Sequence, residues 1–321
     1  MNDRLDRGLR EIVGADRVRA NAPLAELTTF RVGGPADWLV EAAAPDEVTR
    51  IVRLARECGV PIVVLGGGSN VLVADAGVRG VVLRLRLQDI AQSASGCVRA
   101  DAGLTINGLV RWTIGRGLAG LEAWAGTPGT VGGAIYGNAH YGGTNIGSLV
   151  TRVGLVSPEG NVAEAGPAEM AFGYDTSRVQ RTHEIVLWAE FGVTSGEPAA
   201  LRETARASLA FRKRTQPLAL SSAGCVFQNP DAVRDHVPAG IPASAGALVD
   251  RAGLKGVSIG GATVSTRHAN FVVNDGSATA QDIRTLMERA RLGVRDRVGV
   301  ELRYEVVFLG DWNSGQDPAA R

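Results

Sequence analysis

The chain is poor in the residues that build metal centres and disulfide frameworks, with three cysteines and four histidines among 321 residues. Cys58, Cys97 and Cys225 form no Cys-x-x-Cys pair, and so few histidines spell out no zinc-type cluster. An odd, scattered set of thiols suits a reducing compartment. Charge of one sign is also missing: 34 Lys and Arg against 33 Asp and Glu leave a formal +1. The overall field therefore argues for no nucleic-acid or anionic-membrane partner, and an anionic ligand must be held by local groups. No uncharged apolar run approaches the ~20 residues that span a bilayer. The opening stretch 1–17 is charged and lacks the apolar core of a signal peptide. These absences predict a cytoplasmic protein with no metal centre, no nucleic-acid partner and no membrane partner.

Hydrophobic residues make up 45% of the chain, enough for a sizeable core, and the length allows one to three domains. Glycine is what the chain has in excess, 42 of 321 residues, well above the usual ~7%. The glycines cluster between apolar runs, where they permit tight turns and close approach to a ligand. Around them the pattern reads as strands at 38–40, 61–65, 81–85, 97–100, 152–157, 162–165, 184–193, 272–273 and 303–309. Helices are expected at 46–58, 105–116, 199–213 and 246–252, with another after a capping box that opens at Thr279. A long glycine-rich segment, 117–147, follows the helix expected at 105–116. The order is mixed, with no regular βα repeat, so the fold class is α+β.

Two glycine loops carry the first functional signal. Gly66-Gly67-Gly68-Ser69-Asn70 follows an apolar run, exposes several amides at one point and adds two side-chain donors, an arrangement suited to a pyrophosphate. It is neither a Walker A loop nor a Gly-x-Gly-x-x-Gly turn. The second loop is Gly126-Thr127-Pro128-Gly129-Thr130-Val131-Gly132-Gly133-Ala134. It holds more glycines than one tight turn needs, and with the first it suits a clamp on an extended dinucleotide. The plain alternative is a pair of structural turns.

Further motifs make a family visible. Thr28-Thr29-Phe30-Arg31-Val32-Gly33-Gly34-Pro35-Ala36 comes first. The two loops follow, the first with Asp75 and Gly77, the second after Gly120-Leu121-Glu122. Then come Ser222-Ala223-Gly224-Cys225-Val226-Phe227-Gln228-Asn229-Pro230, His268-Ala269-Asn270-Phe271-Val272-Val273-Asn274, and Glu305-Val306 with Leu309-Gly310. In this order, from about Ala22 to Gly310, they resemble the UDP-N-acetylenolpyruvoylglucosamine reductases, and the shorter of that family's two types.

The resemblance implies a two-part FAD-binding module of the vanillyl-alcohol-oxidase type plus a C-terminal α/β substrate-binding domain. The expected segments are 20–85 and 86–197 for the two FAD-binding parts, 198–310 for the substrate domain and 311–321 for a loose tail. It implies non-covalent FAD, NADPH as co-substrate, a UDP-sugar substrate and a monomer. Hydride passes from NADPH through the flavin to an enolpyruvyl carbon, and the product is UDP-N-acetylmuramate for peptidoglycan.

The site residues follow from the same resemblance. Gly66, Gly67, Gly68, Ser69 and Asn70, with Gly126, Thr127, Pro128, Gly129, Thr130, Gly132, Gly133 and Ala134, bind the cofactor. Cys225, where many members have Ser, is the acid; a thiol, reference pKa about 8.5, gives up a proton more readily than an alcohol. Glu305 is the catalytic carboxylate, and Tyr174 and Asn229 contact substrate. The residues alone leave open an inert small Cys225, a solvated Glu305 and an Asn-Pro turn at Asn229.

One segment departs from the pattern. In Phe172-Gly173-Tyr174-Asp175-Thr176-Ser177-Arg178 the family's catalytic Arg is Asp175, and Gln228 stands where Lys is common. Loss of one such stabilising group costs about 10²–10³ in rate. Arg178 is taken as the substitute, with Arg181 and Arg152 as alternatives. Gly137-Asn138-Ala139-His140-Tyr141 also departs slightly; His140 is a possible local substitute, read first as a structural histidine. Two other functions stay open: a flavin- and nucleotide-sugar-binding paralogue without reductase activity, and an FAD oxidase of the same cofactor fold.

Overall fold

A computed structural model describes residues 2–231 and 234–312. The chain divides into two compact bodies. The first comprises 1–22, 36–67 and 80–211, and the second 23–35, 68–79 and 212–321. The chain thus leaves the first body for two short excursions, and the boundary at 211/212 falls inside one helix, Pro198–Thr215.

The first body contains two larger sheets. A four-stranded sheet has the order Val18–Pro23, Pro35–Ala42, Val78–Leu85, Ile62–Val64, and its last pair is parallel. The helices Asp3–Val13 and Pro45–Glu57 supply Leu5, Leu9, Val13, Val48, Ile51 and Ala55 to a core shared with Trp38, Val40, Val81 and Leu83. The first of these helices is absent from the elements expected above. Its apolar stripe is narrow, three residues at four-residue spacing among charges, and Asn2 caps it by accepting from the Leu5 amide at 3.1 Å.

The second sheet of this body is five-stranded and antiparallel, in the order Val162–Ala165, Val150–Val156, Ile185–Phe191, Val98–Asp101, Ile90–Gln92. Ile185–Phe191 is buried along its whole length, as a central strand with both faces covered should be. The helix Ile106–Gly115 packs into this core, capped by Thr105, which accepts from the Gly108 amide at 3.0 Å.

The glycine-rich segment 117–147 is more ordered than its composition suggests. It includes the helix Val131–Tyr136 and a hairpin of His140–Tyr141 with Thr144–Asn145. Gly132 lets that helix close on the sheet. Its amide donates to the Ala102 carbonyl at 2.9 Å, and a Cβ there would stand 3.0 Å from Ala102 Cβ. Helix propensity argues against Gly-Gly in a helix, but close packing has overridden it here.

The second body contains an antiparallel meander of Ser258–Ile259, Ala262–Val264 and Val272–Asn274, with the long helix Ala280–Val298 packed against it. The expected capping box is present: Thr279 Oγ1 accepts from the Asp282 amide at 3.0 Å, and Asp282 accepts from the Thr279 amide at 2.9 Å. Asp75 adds a second cap, its two oxygens accepting from the Ala280 and Gln281 amides at 2.8 and 2.9 Å.

The strand expected over 303–309 is split. Tyr304 forms an isolated bridge to Phe227, and only Val307–Leu309 is a strand, parallel to Val71–Val73. The chain changes partner at Val306, and that change breaks the run. Among the described residues no helix is long and apolar enough to cross a membrane. The tail expected over 311–321 lies outside the described residues beyond Trp312.

Candidate active site

In the first body the two glycine loops meet. A Cβ on Gly67 would stand 2.7 Å from Gly129 Cα, and one on Gly66 would stand 2.7 Å from Thr130 Oγ1. At Gly67 backbone therefore lies against backbone, and at Gly66 the Thr130 hydroxyl takes the place of a side chain. Asn107, on the helix Ile106–Gly115, steadies the second loop from behind. Its Oδ1 accepts from the Gly126 amide at 2.7 Å and its Nδ2 donates to the Thr127 carbonyl at 3.3 Å.

The amides of Gly66, Gly67, Gly129 and Thr130 find no acceptor among the described residues. A set of open amides on a surface too tight for side chains fits a diphosphate, so the residues present fit FAD. Gly66, Gly67, Gly129 and Thr130 would hold it. Gly132 and Gly133 lie within the helix that follows, and Ala134 is buried there. The other half of the first loop belongs to the second body: Gly68 packs on Leu27 and Thr28. Asn70 Nδ2 donates to the Glu305 carbonyl at 3.0 Å, so this side chain serves its own chain.

In the second body the loop of Cys225 pairs with the stretch before Val306. The Glu305 amide donates to Val226 O at 2.9 Å, and the Gln228 amide donates to Arg303 O at 2.9 Å. Phe227 and Tyr304 stack with ring centroids 5.5 Å apart. Asn270 clamps the loop from the opposite side. The Val226 amide donates to its carbonyl at 2.9 Å, the Phe227 amide to its Oδ1 at 3.0 Å, and its Nδ2 donates to Phe227 O at 2.8 Å.

Cys225 and Glu305, far apart in sequence, are thereby brought onto adjoining segments, with Glu305 held by its backbone on both sides. Gly224, at φ +79°, lets the chain turn into the loop. Asn229 Oδ1 accepts from the Ala245 amide at 3.0 Å, so it caps the helix Ala245–Arg251. Tyr304 sits beside Glu305, and burial first, then the Glu288 carboxylate 2.5 Å from its hydroxyl, push its pKa above the ordinary value.

The turn that departs from the family pattern lies in the first body. Arg178 is not directed at Asp175. Its Nε and Nη2 donate to Glu184 at 2.8 and 2.6 Å. That carboxylate holds the Arg178 pKa above its ordinary value, and the guanidinium holds the Glu184 carboxyl below the usual range. Arg152 is likewise occupied, by Glu164 at 3.0 Å and Glu190 at 3.4 Å. The partner of Asp175 is His140, whose Nδ1 stands 3.0 Å from Oδ1, and the ring of the exposed Tyr174 lies 5.1 Å from the His140 ring.

Three asparagines that fix this geometry, Asn107, Asn138 and Asn270, are not among the site residues that the sequence suggests. Two of them, Asn138 and Asn270, are 2% exposed. An Asn in an apolar or glycine-rich run is the signal that marks them.

Known proteins match both parts of the chain. The chain matches the FAD binding domain family over residues 36–166. It matches the C-terminal domain of UDP-N-acetylenolpyruvoylglucosamine reductase over 216–309. UDP-N-acetylenolpyruvoylglucosamine reductase 2 of Symbiobacterium thermophilum is 40% identical over 304 residues, 94% of this chain and 96% of the relative. The reductase of Heliobacterium modesticaldum is 40% identical over 296 residues, covering 90% of each. The crystal structure of the enzyme from Thermus caldophilus superposes with a TM-score of 0.75 at 31% identity, covering 91% of this chain and 98% of that one.

The backbone cradle and these matches define an FAD-dependent oxidoreductase, with a cofactor module followed by a distinct C-terminal domain. The chain belongs to the UDP-N-acetylenolpyruvoylglucosamine reductase family.

Proposed function

We propose that the protein reduces UDP-N-acetylenolpyruvoylglucosamine to UDP-N-acetylmuramate with NADPH, a step in making the peptidoglycan precursor. FAD, when bound, supplies a hydride relay between the nicotinamide and the enolpyruvyl β-carbon. The open amides at Gly66, Gly67, Gly129 and Thr130 hold its diphosphate and leave no room there for a side chain. Ser69, Thr127 and Pro128 line the same cofactor. Cys225 gives a proton to the substrate α-carbon, completing the addition across the double bond. Glu305 hydrogen-bonds the substrate carboxylate as a positioned acid. Tyr174 and Asn229 contact the sugar nucleotide.

The observation that carries this reading is the ladder joining 226–228 to 303–305, which delivers the proposed acid and the proposed carboxylate to adjoining segments of one body. The test is sugar-dependent NADPH oxidation by the yellow, FAD-loaded protein. Turnover that stops when the UDP-enolpyruvyl sugar is withheld supports the reading. Oxidation coupled only to O₂ and simple alcohols would replace it with an oxidase. The carboxylate of Asp175 favours a second reading, a binding paralogue without turnover, and the same assay separates the two.

A further inference from the structure

The two segments that depart from the family pattern meet at one hydrogen bond. His140 comes from the hairpin His140–Tyr141/Thr144–Asn145, and Asp175 from a turn closed by the bridge between Gly173 and Thr176. Nδ1 and Oδ1 are 3.0 Å apart; the Asp175 side chain is only 10% exposed, the His140 side chain 30%. Oδ2 of Asp175 is buried and has no hydrogen-bond partner among the described residues.

The turn is held by more bonds than its length requires. Asn138 Nδ2 donates to Gly173 O at 2.7 Å while its Oδ1 accepts from the Gly147 amide at 2.9 Å. Ser177 Oγ donates to Tyr136 O at 2.7 Å, and Gln180 Nε2 donates to Tyr136 O and Asp175 O, both at 2.9 Å. These bonds keep Asp175 at φ +54°, a conformation costing about 1–3 kcal/mol in a residue with a side chain. The backbone is thus set, and the Asp175 carboxylate is aimed at the ring.

A carboxylate can only accept, so Nδ1 carries the hydrogen and the tautomer is fixed. In the doubly protonated ring, whose charge the carboxylate beside it would balance, Nε2 also donates. Of the three basic side chains that could have replaced the family's Arg, Arg178 and Arg152 are paired with Glu184, Glu164 and Glu190, and Arg181 is exposed. The other Asp175 oxygen stays buried without a partner among the described residues, which a purely structural pair does not require.

We propose that Asp175 is a positioning residue for His140, and that His140 is the hydrogen-bond donor to the anionic oxygen of the bound enolpyruvyl substrate, in place of a guanidinium at residue 175. This rests on the reductase reading above.

The experiment is anaerobic stopped-flow on FAD-loaded protein, following reduction by NADPH and re-oxidation by the UDP-enolpyruvyl sugar as separate steps. His140→Ala is expected to slow re-oxidation about 100-fold, to leave reduction by NADPH unchanged, and to recover part of the lost rate when free imidazole is added. Asp175→Asn, which keeps an acceptor but removes the charge, is expected to slow re-oxidation about tenfold, against a 10²–10³-fold loss for removing such a donor outright. Re-oxidation of both variants at the wild-type rate would overturn the proposal. So would equal slowing of both steps without imidazole rescue, the mark of a structural pair. If His140→Ala fails to load FAD, His140→Gln carries the same comparison. Wild-type protein that is reduced but not re-oxidised by the sugar would instead overturn the reductase reading, and this proposal with it.

Discussion

The glycine cradle and the turn around Asp175 belong to the same body but are built in opposite ways. The cradle is main chain in close approach: a Cβ on Gly67 would stand 2.7 Å from Gly129 Cα, and one on Gly66 2.7 Å from the Thr130 hydroxyl. The turn is fixed by side chains, with Asn138, Ser177 and Gln180 holding its frame and His140 meeting Asp175. A surface made of main chain is intolerant at each position and keeps its spelling. A surface made of side chains can exchange one solution for another, provided that the partner changes too. On that account a cradle whose motif resembles the family's and a turn whose motif does not can stand in one protein.

This contrast can be broken or sharpened by substitution. The largest effect is expected at the proposed acid, a side-chain function. Cys225→Ala should lower sugar-driven re-oxidation by about 10²–10⁴ and leave reduction by NADPH untouched, and Cys225→Ser should keep much of the activity; stopped-flow absorbance separates the two steps. Next is the cradle itself. Gly67→Ala drives a methyl to 2.7 Å from Gly129 Cα, an overpacking of about 1–3 kcal/mol. If the strain is relieved by opening the loops, FAD binding weakens roughly tenfold to a hundredfold. Flavin content after gel filtration measures it, and full loading would show that the cradle gives way more easily than its geometry allows.

A smaller effect belongs to the frame of the turn. Asn138→Ala removes two side-chain hydrogen bonds from a buried position at φ +44°. It should cost about 1–3 kcal/mol of stability, seen as a lower Tm. The smallest effect concerns Asp235, gripped by Arg303 at 3.1 and 2.6 Å in the second body. The guanidinium lowers its carboxyl from 3.8 to about 2. A carboxyl depressed in the folded state adds stability above its unfolded pKa and loses it as pH falls through the folded one. Asp235→Asn should therefore be less stable than the parent near neutrality. The gap should close between pH 3.8 and about 2, as denaturant titrations at several pH values would show.

What is legible in the sequence follows the same division. The cradle can be read because three glycines in a row after an apolar run leave only main chain to do the work at that point. The helix Pro45–Glu57 and the capping box at Thr279 are legible from local periodicity and capping chemistry. The helix Asp3–Val13 is hidden because three apolar residues among charges make a weak stripe. The helix Val131–Tyr136 is hidden because Gly132 and Gly133 oppose helix on propensity, and the close contact with Ala102 shows why Gly132 is nevertheless there.

Cys225 and Glu305 are proposed from motifs alone, and the pairing of residues 226–228 with 303–305 cannot be read that way. A substitute for the family Arg is naturally sought among nearby arginines. Arg178 lies three residues from Asp175, yet it turns to Glu184, and the partner of Asp175 is 35 residues away at His140. Such pairings depend on tertiary closure, to which local spacing is blind.

The most direct test of the central claim is a single turnover under nitrogen. The purified protein is bleached near 450 nm with NADPH, an expected flavin property, and then mixed with the UDP-enolpyruvyl sugar. Rapid return of the yellow colour with formation of UDP-N-acetylmuramate is the predicted result. A flavin that is reduced and stays reduced in the presence of the sugar would contradict the account.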